Sequence, residues 1–199
     1  MKTSTTIIAL AAATTTLAQY TNQSAPFKLQ IKSENETLNG NYLYACHEGA
    51  AIEGLCPANA INLGSAGAST YNFNTSASTT SAVGVLTYLL QGSNFAVSEP
   101  FALSYTPSTN VAVPLFYPDT TYTEVGFDAD NKLFIEAYVD DTVTPLKDGL
   151  DKAKDYYRWV VCETYAGYDY YTLAWVMGKA PAQNPSCQAV DVVREFVKA

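Results

Sequence analysis

The chain contains a single histidine, His47, so any Ser-His-Asp or Cys-His catalytic arrangement would have to use it. It lies between Cys46 and Glu48, and oxidation of the cysteines would leave only a serine or a threonine as the nucleophile. The sequence contains no Gly-x-Ser-x-Gly motif, which presents a nucleophilic serine on a sharp turn. We interpret His47 as a structural residue packed near a disulfide, and no catalytic residue is predicted.

Paired carboxylates are the other arrangement that could support catalysis. Asp128 with Asp130, and Asp140 with Asp141, could supply the acid and the base for hydrolysis of a glycosidic bond. Adjacent residues of a strand point to opposite faces, however, and acidic side chains are common in solvated turns. The turn interpretation is therefore preferred for both pairs.

Metal binding is disfavoured. Residues 128–131 read Asp-Ala-Asp-Asn and faintly suggest a calcium loop, but the glycine and the distal glutamate of a complete loop are missing. No two cysteines are spaced as Cys-x-x-Cys and there is one histidine, which argues against zinc. Neither a metal nor a cofactor is predicted.

Tyrosines cluster around one turn, where Tyr165, Tyr168 and Tyr170 flank Asp169. β-Proteins hold sugars by stacking aromatic rings on the apolar sugar face, while polar neighbours fix the orientation. These four residues are therefore the predicted ligand-binding group, with a cell-wall polysaccharide as the candidate ligand. The alternative is that the tyrosines are ordinary strand residues, because tyrosine is enriched in strands.

A hairpin must position this turn. In residues 156–177 large apolar side chains alternate with other residues on both sides of a turn at residues 166–169, which is the period-two pattern of paired strands. Trp159 and Trp175 fall on the same parity as the largest apolar residues and are expected to face the core. Arg158 and Thr172 are expected on the opposite face.

The rest of the chain indicates one all-β domain of roughly eleven to twelve short strands, because short strand-like runs are separated by Gly, Pro, Asn and Asp turns. The runs outside the hairpin are residues 27–31, 42–46, 85–90, 95–97, 101–105, 111–116, 123–127, 132–138 and 188–197. Asn39-Gly40 predicts a turn that joins the first two runs as a hairpin. A trefoil-like or other closed barrel is preferred, and a β-sandwich is the alternative. Residues 64–81 are predicted to be an exposed Ser/Thr-rich loop.

The first 18 residues have the features of a secretory signal peptide: Met1-Lys2, an apolar run at residues 7–13, and small residues before position 19. The run is too short for a membrane span. A polar leader over residues 19–26 and a domain over residues 27–199 are expected to follow. The formal charge of −8 disfavours nucleic acid and anionic membranes as partners. The expected location is extracellular or associated with the cell wall.

Four cysteines in an exported chain predict two disulfides. Of the three pairings, Cys46–Cys56 with Cys162–Cys187 is favoured, because each bond closes a local loop. Three sequons place asparagines for N-glycosylation in segments interpreted as leader, turn or loop. These asparagines are Asn22, Asn35 and Asn74.

Five stretches of the chain form a recognisable set: residues 38–51 (LNGNYLYACHEGAA), 97–100 (VSEP), 157–162 (YRWVVC), 172–176 (TLAWV) and 183–187 (QNPSC). Together they resemble a family of secreted fungal proteins built on a single domain of unknown function, and the resemblance covers nearly the whole mature chain. A more distant similarity to the fungal phialide cell-wall protein rests on the second cysteine pair with an intervening Trp strand. It implies a surface or wall location. Neither resemblance supplies a reaction or site residues.

The preferred function is that of a non-catalytic secreted protein associated with the fungal cell surface or wall, with carbohydrate binding as a candidate activity beside a structural role that involves no small ligand. A secreted acidic hydrolase acting on glycans and a secreted effector are the alternatives. A hydrolase should bring two carboxylates together in a cleft with one pKa displaced, whereas a carbohydrate-binding module should expose coplanar rings. The sequence does not specify the ligand or the oligomeric state.

Overall fold

The computed structural model describes residues 20–58, 68–76, 83–140, 142–146 and 153–198, and these residues form a β-protein without helices. The predicted signal peptide lies outside the described residues. The strands are β1 (Asn22–Gln23), β2 (Phe27–Lys32), β3 (Leu43–Gly49), β4 (Ile52–Pro57), β5 (Tyr71–Thr75), β6 (Val83–Gln91), β7 (Ala96–Ser104), β8 (Val111–Phe116), β9 (Val125–Phe127), β10 (Leu133–Ala137), β11 (Lys154–Tyr156), β12 (Trp159–Tyr165), β13 (Asp169–Val176), β14 (Gln188–Ala189) and β15 (Asp191–Phe196). The all-β prediction is confirmed.

The strands form one branched sheet. Its longest path runs β11-β10-β9-β6-β7-β8-β13-β12-β14, with β5 joined to β6 and β4 joined to β8. The sheet curls into an open half-barrel, so the predicted closed or trefoil-like barrel is wrong. Closure requires the strand number, the stagger and the tilt to agree, and these are long-range quantities that a count of strand-like runs does not contain.

The predicted core hairpin is confirmed as β12 and β13, which pair from Trp159 opposite Trp175 to Tyr165 opposite Asp169. The two Trp rings are 4.7 Å apart between centroids, and Trp159 Nε1 donates a 2.7 Å hydrogen bond to the Leu133 carbonyl. Both rings belong to the main apolar cluster. Because the buried indole has its hydrogen-bond partner, the pair can pack deep in the core at no cost in unsatisfied polar groups.

The other face of this hairpin is also covered, contrary to the expectation for Thr172. That residue is fully buried and its hydroxyl lies 2.6 Å from the hydroxyl of Thr164. A second cluster packs here against Ala182 and Cys187, and its buried members are Val111, Val160, Cys162, Ala174 and Val176. The chain returning after β13 therefore gives the hairpin a second apolar environment, which period-two alternation does not reveal.

Part of the predicted Ser/Thr-rich loop is a strand. In β5 the side chains of Tyr71 and Phe73 are buried, and Tyr71 pairs with Tyr88 of β6. Residues 64–67 and 77–81 of that loop lie outside the described residues. The aromatic residues that alternate in this strand are separated by small polar residues. The overall composition of the segment therefore predicted a loop where there is a strand.

Two further pairings differ from expectation. β2 pairs along its length with β15, and its pairing with the predicted hairpin partner is limited to a bridge between Gln30 and Tyr42, beside which the Ile31 amide donates a 2.8 Å hydrogen bond to the Asn41 carbonyl. β3 pairs instead with β4 across a turn at residues 50–51. The two runs at residues 95–97 and 101–105 are a single strand, β7, which continues through Pro100. Local turn signals thus found the turns but not always the strand partners.

Both favoured disulfides are present. Cys46–Cys56 links β3 to β4, and Cys162–Cys187 links β12 to the segment before β14. Two disulfides in a small β domain are compatible with an extracellular protein. The part of the chain that the structure describes has no helical segment with the length and apolar character that a membrane crossing needs.

Candidate functional site

The tip of the β12–β13 hairpin packs on the β3–β4 hairpin. Gly167 in the tip has φ +147°, and a Cβ there would lie 1.9 Å from the carbonyl oxygen of Glu48. The Tyr168 amide donates a 3.2 Å hydrogen bond to Glu48 Oε2, and the Tyr168 ring lies 5.6 Å from the His47 ring. This contact therefore requires glycine at position 167, both for the conformation and for the close approach.

The four predicted ligand-binding residues divide between two faces of the tip. Thr164 lies opposite Tyr170, and Tyr165 lies opposite Asp169, so Tyr165 and Tyr170 point to opposite faces. The Tyr168 and Tyr170 rings are nearly parallel, with an interplanar angle of 26° and centroids 5.9 Å apart. Tyr170 packs on the cluster around the first disulfide, and Tyr168 is 48% exposed. The four predicted ligand-binding residues therefore do not form a single binding surface.

Tyr165 borders a groove of about 540 Å³. Its ring is 72% exposed, the largest exposed fraction among the large apolar side chains of the described residues. The groove has apolar side chains from β8 and polar ones from the hairpin and the following segment; they include Val111, Val113, Leu115, Glu163, Thr164 and Asn184. An exposed ring beside apolar and hydrogen-bonding groups is the arrangement expected for a sugar.

In the predicted carboxylate pairs, the carboxylates of Asp128 and Asp140 accept hydrogen bonds from nearby backbone amides in turns. Asp128 Oδ1 accepts hydrogen bonds from the amides of Asp130 and Lys132 at 2.9 and 2.8 Å, and Asp128 Oδ2 accepts one from the Tyr157 hydroxyl at 3.0 Å. Asp140 Oδ1 accepts one from the Thr142 amide at 3.0 Å. Asp141 lies outside the described residues. Among the residues that the structure describes, no group of three or more His, Cys, Asp or Glu could hold a metal ion.

A different carboxylate pair is buried in the sheet. Glu53 of β4 lies opposite Phe116 of β8, which lies opposite Phe101 of β7, two residues after Glu99. Cross-strand partners and residues two apart share a face, so Glu53 and Glu99 face the same side. Burial, and secondarily the charge of Glu53, raise the pKa of Glu99 to about 7. Burial also raises the pKa of Glu53, while His47 opposes that shift.

Glu48 is the third buried carboxylate. The β3–β4 register shifts between His47 and Gly49, so Glu48 is an extra residue in the ladder. Such a bulge redirects a side chain, and here it gives the tip its contact. Burial raises the pKa of Glu48 against the lowering effect of the Tyr168 amide, and the charges of Glu53 and Asp169 raise it further. We call Glu48, Glu53 and Glu99 the acidic cluster.

Sequence reasoning missed the acidic cluster, although one signal was present. Glu99 follows Val97 and precedes Phe101 at spacings of two, so a charge occupies the inward parity of a strand. The division of residues 95–105 into two short runs concealed this pattern. His47, which the sequence predicts to be a structural residue packed near a disulfide, lies with Nδ1 3.8 Å from Glu53 Oε1.

The sequon asparagines differ in their surroundings. Asn22 is exposed in β1, whereas Asn74 Nδ2 donates a 3.1 Å hydrogen bond to Thr87 Oγ1. Asn35 Oδ1 accepts a 2.9 Å bond from the Thr37 amide, and the Asn35 side chain borders a second groove of about 670 Å³ near Tyr157. Asn22 has the most accessible side chain of the three, and glycosylation stays a prediction.

In comparison with known proteins, residues 24–196 match the model of a domain of unknown function, DUF7907. No curated protein and no solved structure matches the chain. The matched region includes every strand from β2 to β15 and both disulfides. The chain therefore belongs to the DUF7907 family, whose function its description does not specify.

Proposed function

We propose that this protein is a non-catalytic, secreted carbohydrate-binding protein that holds polysaccharide at the cell surface or wall, in the groove beside Tyr165. The observation that carries the proposal is the exposed Tyr165 ring at the border of a groove of about 540 Å³. An aromatic ring that is exposed to water beside apolar and hydrogen-bonding groups offers a stacking face to a sugar.

The groove also offers polar contacts. Glu163 is exposed at its border, and Thr164 and Asn184 also line the groove. Asn184 is held in place, because its Nδ2 donates a 2.8 Å bond to the Glu163 carbonyl and its Oδ1 accepts one from Ser186 Oγ at 2.7 Å. Preorganised polar groups lower the entropic cost of binding. One stacked ring contributes about 0.5–1.5 kcal/mol, so binding to each sugar unit should be weak.

Secretion and a wall location are supported by three observations. The first 18 residues have signal-peptide features, the chain carries two disulfides, and the sequence resembles secreted fungal proteins and, more distantly, a phialide cell-wall protein. The net charge of −8 favours a neutral ligand over a polyanion.

A glycan hydrolase is the second candidate, and the pair of Glu53 and Glu99 favours it, because a raised pKa suits a general acid. Glu99 is fully buried, and neither carboxylate borders the 540 Å³ or the 670 Å³ groove. A substrate in either groove would thus lie away from this pair, which is why non-catalytic binding is preferred. No separate observation favours a secreted effector.

The test is co-sedimentation of the protein with insoluble chitin, β-glucan and intact wall material. Tyr165→Ala should lower the bound fraction, and Tyr138→Ala is the matched control, because Tyr138 is also exposed and does not border the Tyr165 groove. Binding of the native protein to none of these materials, or equal binding of both variants, would contradict the proposal. Release of soluble sugar by the native protein but not by Glu99→Gln would favour the hydrolase.

A further inference from the structure

We propose that the acidic cluster is a proton-dependent clamp that holds the tip of the β12–β13 hairpin on the β3–β4 hairpin and loosens as the pH rises towards neutrality. The inference concerns a conformational change and does not depend on any ligand. Only a change of carbohydrate binding with pH would rest on the proposed function.

First, Glu99 is buried in an environment that favours its protonated form. Its side chain is 0% exposed, and neither carboxylate oxygen has a hydrogen-bond partner among the described residues. Burying an unpaired carboxylate is costly, so a carboxyl group in this environment takes up a proton. The folded protein therefore retains a proton on the Glu53–Glu99 pair over a pH range in which the unfolded chain has released it.

The second step is the set of charges around the pair. On β3 and β4 these are His47, Glu48 and Glu53, and on the tip Asp169 acts on Glu48. Three tyrosine hydroxyls from β3, β5 and β6 complete the surroundings, and each has a raised pKa because of burial; they belong to Tyr44, Tyr71 and Tyr88. Neither lysine nor arginine contributes to the pKa of any member of the acidic cluster in the described chain. His47, with a largely exposed side chain, is the side chain that lowers the pKa of Glu48 and Glu53 in the described chain, and the Tyr168 amide adds to its effect on Glu48.

The third step is mechanical. Glu53 opposite Phe116 is the only register pair that joins β4 to β8 in the described sheet. Ionisation of Glu99 places a negative charge next to that pair and next to Glu53. The same end of the hairpin carries Glu48, which contacts the tip through the Tyr168 amide and lies against Gly167. The negative charges of Glu99 and Glu53 therefore repel each other at the point where the β3–β4 hairpin is joined to β8. When this end of the β3–β4 hairpin moves, Glu48 moves with it and the tip loses its contact surface.

The direction of the pH effect follows from linkage. The pKa of Glu99 is raised from 4.5 to about 7 in the folded state, so the folded state binds the proton more tightly than the unfolded chain. The stabilisation is fully present below the unfolded value of 4.5, falls as the pH rises, and is lost above about 7. Local opening of the tip should follow the same window.

Hydrogen exchange of the backbone amides tests this, at pH 5 and pH 8 with correction for intrinsic exchange rates. In the native protein, protection at residues 47–53 and 167–170 should fall about tenfold or more between the two values. Protection at Val161 and Leu173, which are buried in the middle of the hairpin, should remain higher than at the tip at both pH values. Glu99→Gln should abolish the pH dependence at the tip, and Glu36→Gln, an exposed glutamate, should leave it unchanged.

Unchanged tip protection in the native protein between pH 5 and pH 8 would overturn the inference, as would an equal loss in Glu99→Gln. Carbon-13 NMR of the glutamate carboxyls in the native protein is the second measurement, should Glu99→Gln fail to fold. It should show one buried carboxyl titrating near pH 7, and ordinary titration of all glutamates would also overturn the inference. None of these measurements uses a glycan, so a failure of carbohydrate binding would be recognised separately.

Discussion

The base and the tip of the β12–β13 hairpin are built in opposite ways. At the base, Trp159 and Trp175 are buried against each other and the indole nitrogen of Trp159 has its carbonyl partner. At the tip, Tyr165 is in water and Tyr168 rests on Glu48, which belongs to a group of buried carboxylates with unpaired oxygens. One pair of strands thus has a base with buried aromatic groups, one of them hydrogen-bonded, and a tip that has an exposed ring and contacts a buried carboxylate.

The largest expected effect lies at the base. Trp159→Ala should reduce the free energy of unfolding by about 3–5 kcal/mol, because it leaves a cavity in the main core and an unpaired Leu133 carbonyl. Denaturant unfolding measures this loss. Trp159→Phe, which keeps most of the volume, is the control and should cost less. A loss below about 1 kcal/mol for Trp159→Ala would show that the base is not the stabilising region.

Removal of a disulfide should have the next largest effect on the free energy of unfolding. Replacing Cys162 and Cys187 together by alanine should cost about 2–4 kcal/mol, because the bond closes a 25-residue separation and anchors the segment that covers the second face of the hairpin. The same change at Cys46 and Cys56, separated by 10 residues, should cost less. Denaturant unfolding of the two double variants compares them, and the reverse order would contradict this account of the covered face.

Gly167→Ala should affect the tip alone. The new methyl group would meet the Glu48 carbonyl oxygen at 1.9 Å, so the tip must move or the backbone must change conformation. We expect a cost of about 1–3 kcal/mol, with faster amide exchange confined to residues near 48 and 168. Gly178→Ala is a useful control, because a Cβ at that position meets nothing within 4 Å although φ is also positive. Equal local effects at both sites would indicate backbone strain rather than lost contact.

Local features of the fold could be predicted from the sequence, whereas long-range features could not. Alternation of large apolar residues located Trp159 and Trp175 on one face, because side-chain direction along a strand is a local property. The openness of the sheet and the pairing of β2 with β15 depend on registers between distant segments, which no local pattern contains. β5 was missed because Tyr71 and Phe73 are surrounded by small polar residues.

The candidate site was predictable only in part. The tyrosines of the turn were predicted as a binding group because turns reach solvent, whereas their division between two faces follows from the pairing of Tyr165 with Asp169. The acidic cluster was missed because Glu48 is brought inward by a bulge and Glu53 by β4, a strand that none of the predicted strand-like runs includes. A glutamate in an isolated window is typical of a solvated surface, and only the assembled sheet shows that these three are buried.

The smallest expected effect tests the account most directly. Titration of soluble chitin and β-glucan oligosaccharides into the native protein and into Tyr165→Ala, followed calorimetrically, compares the two affinities, and denaturant unfolding is measured in parallel. The account predicts that one of these sugars binds, that Tyr165→Ala weakens binding about two- to tenfold, and that the free energy of unfolding changes by less than about 0.5 kcal/mol. Equal affinity in both proteins, or a loss of affinity matched by a loss of stability, would contradict the division of the hairpin into a stable base and a binding tip.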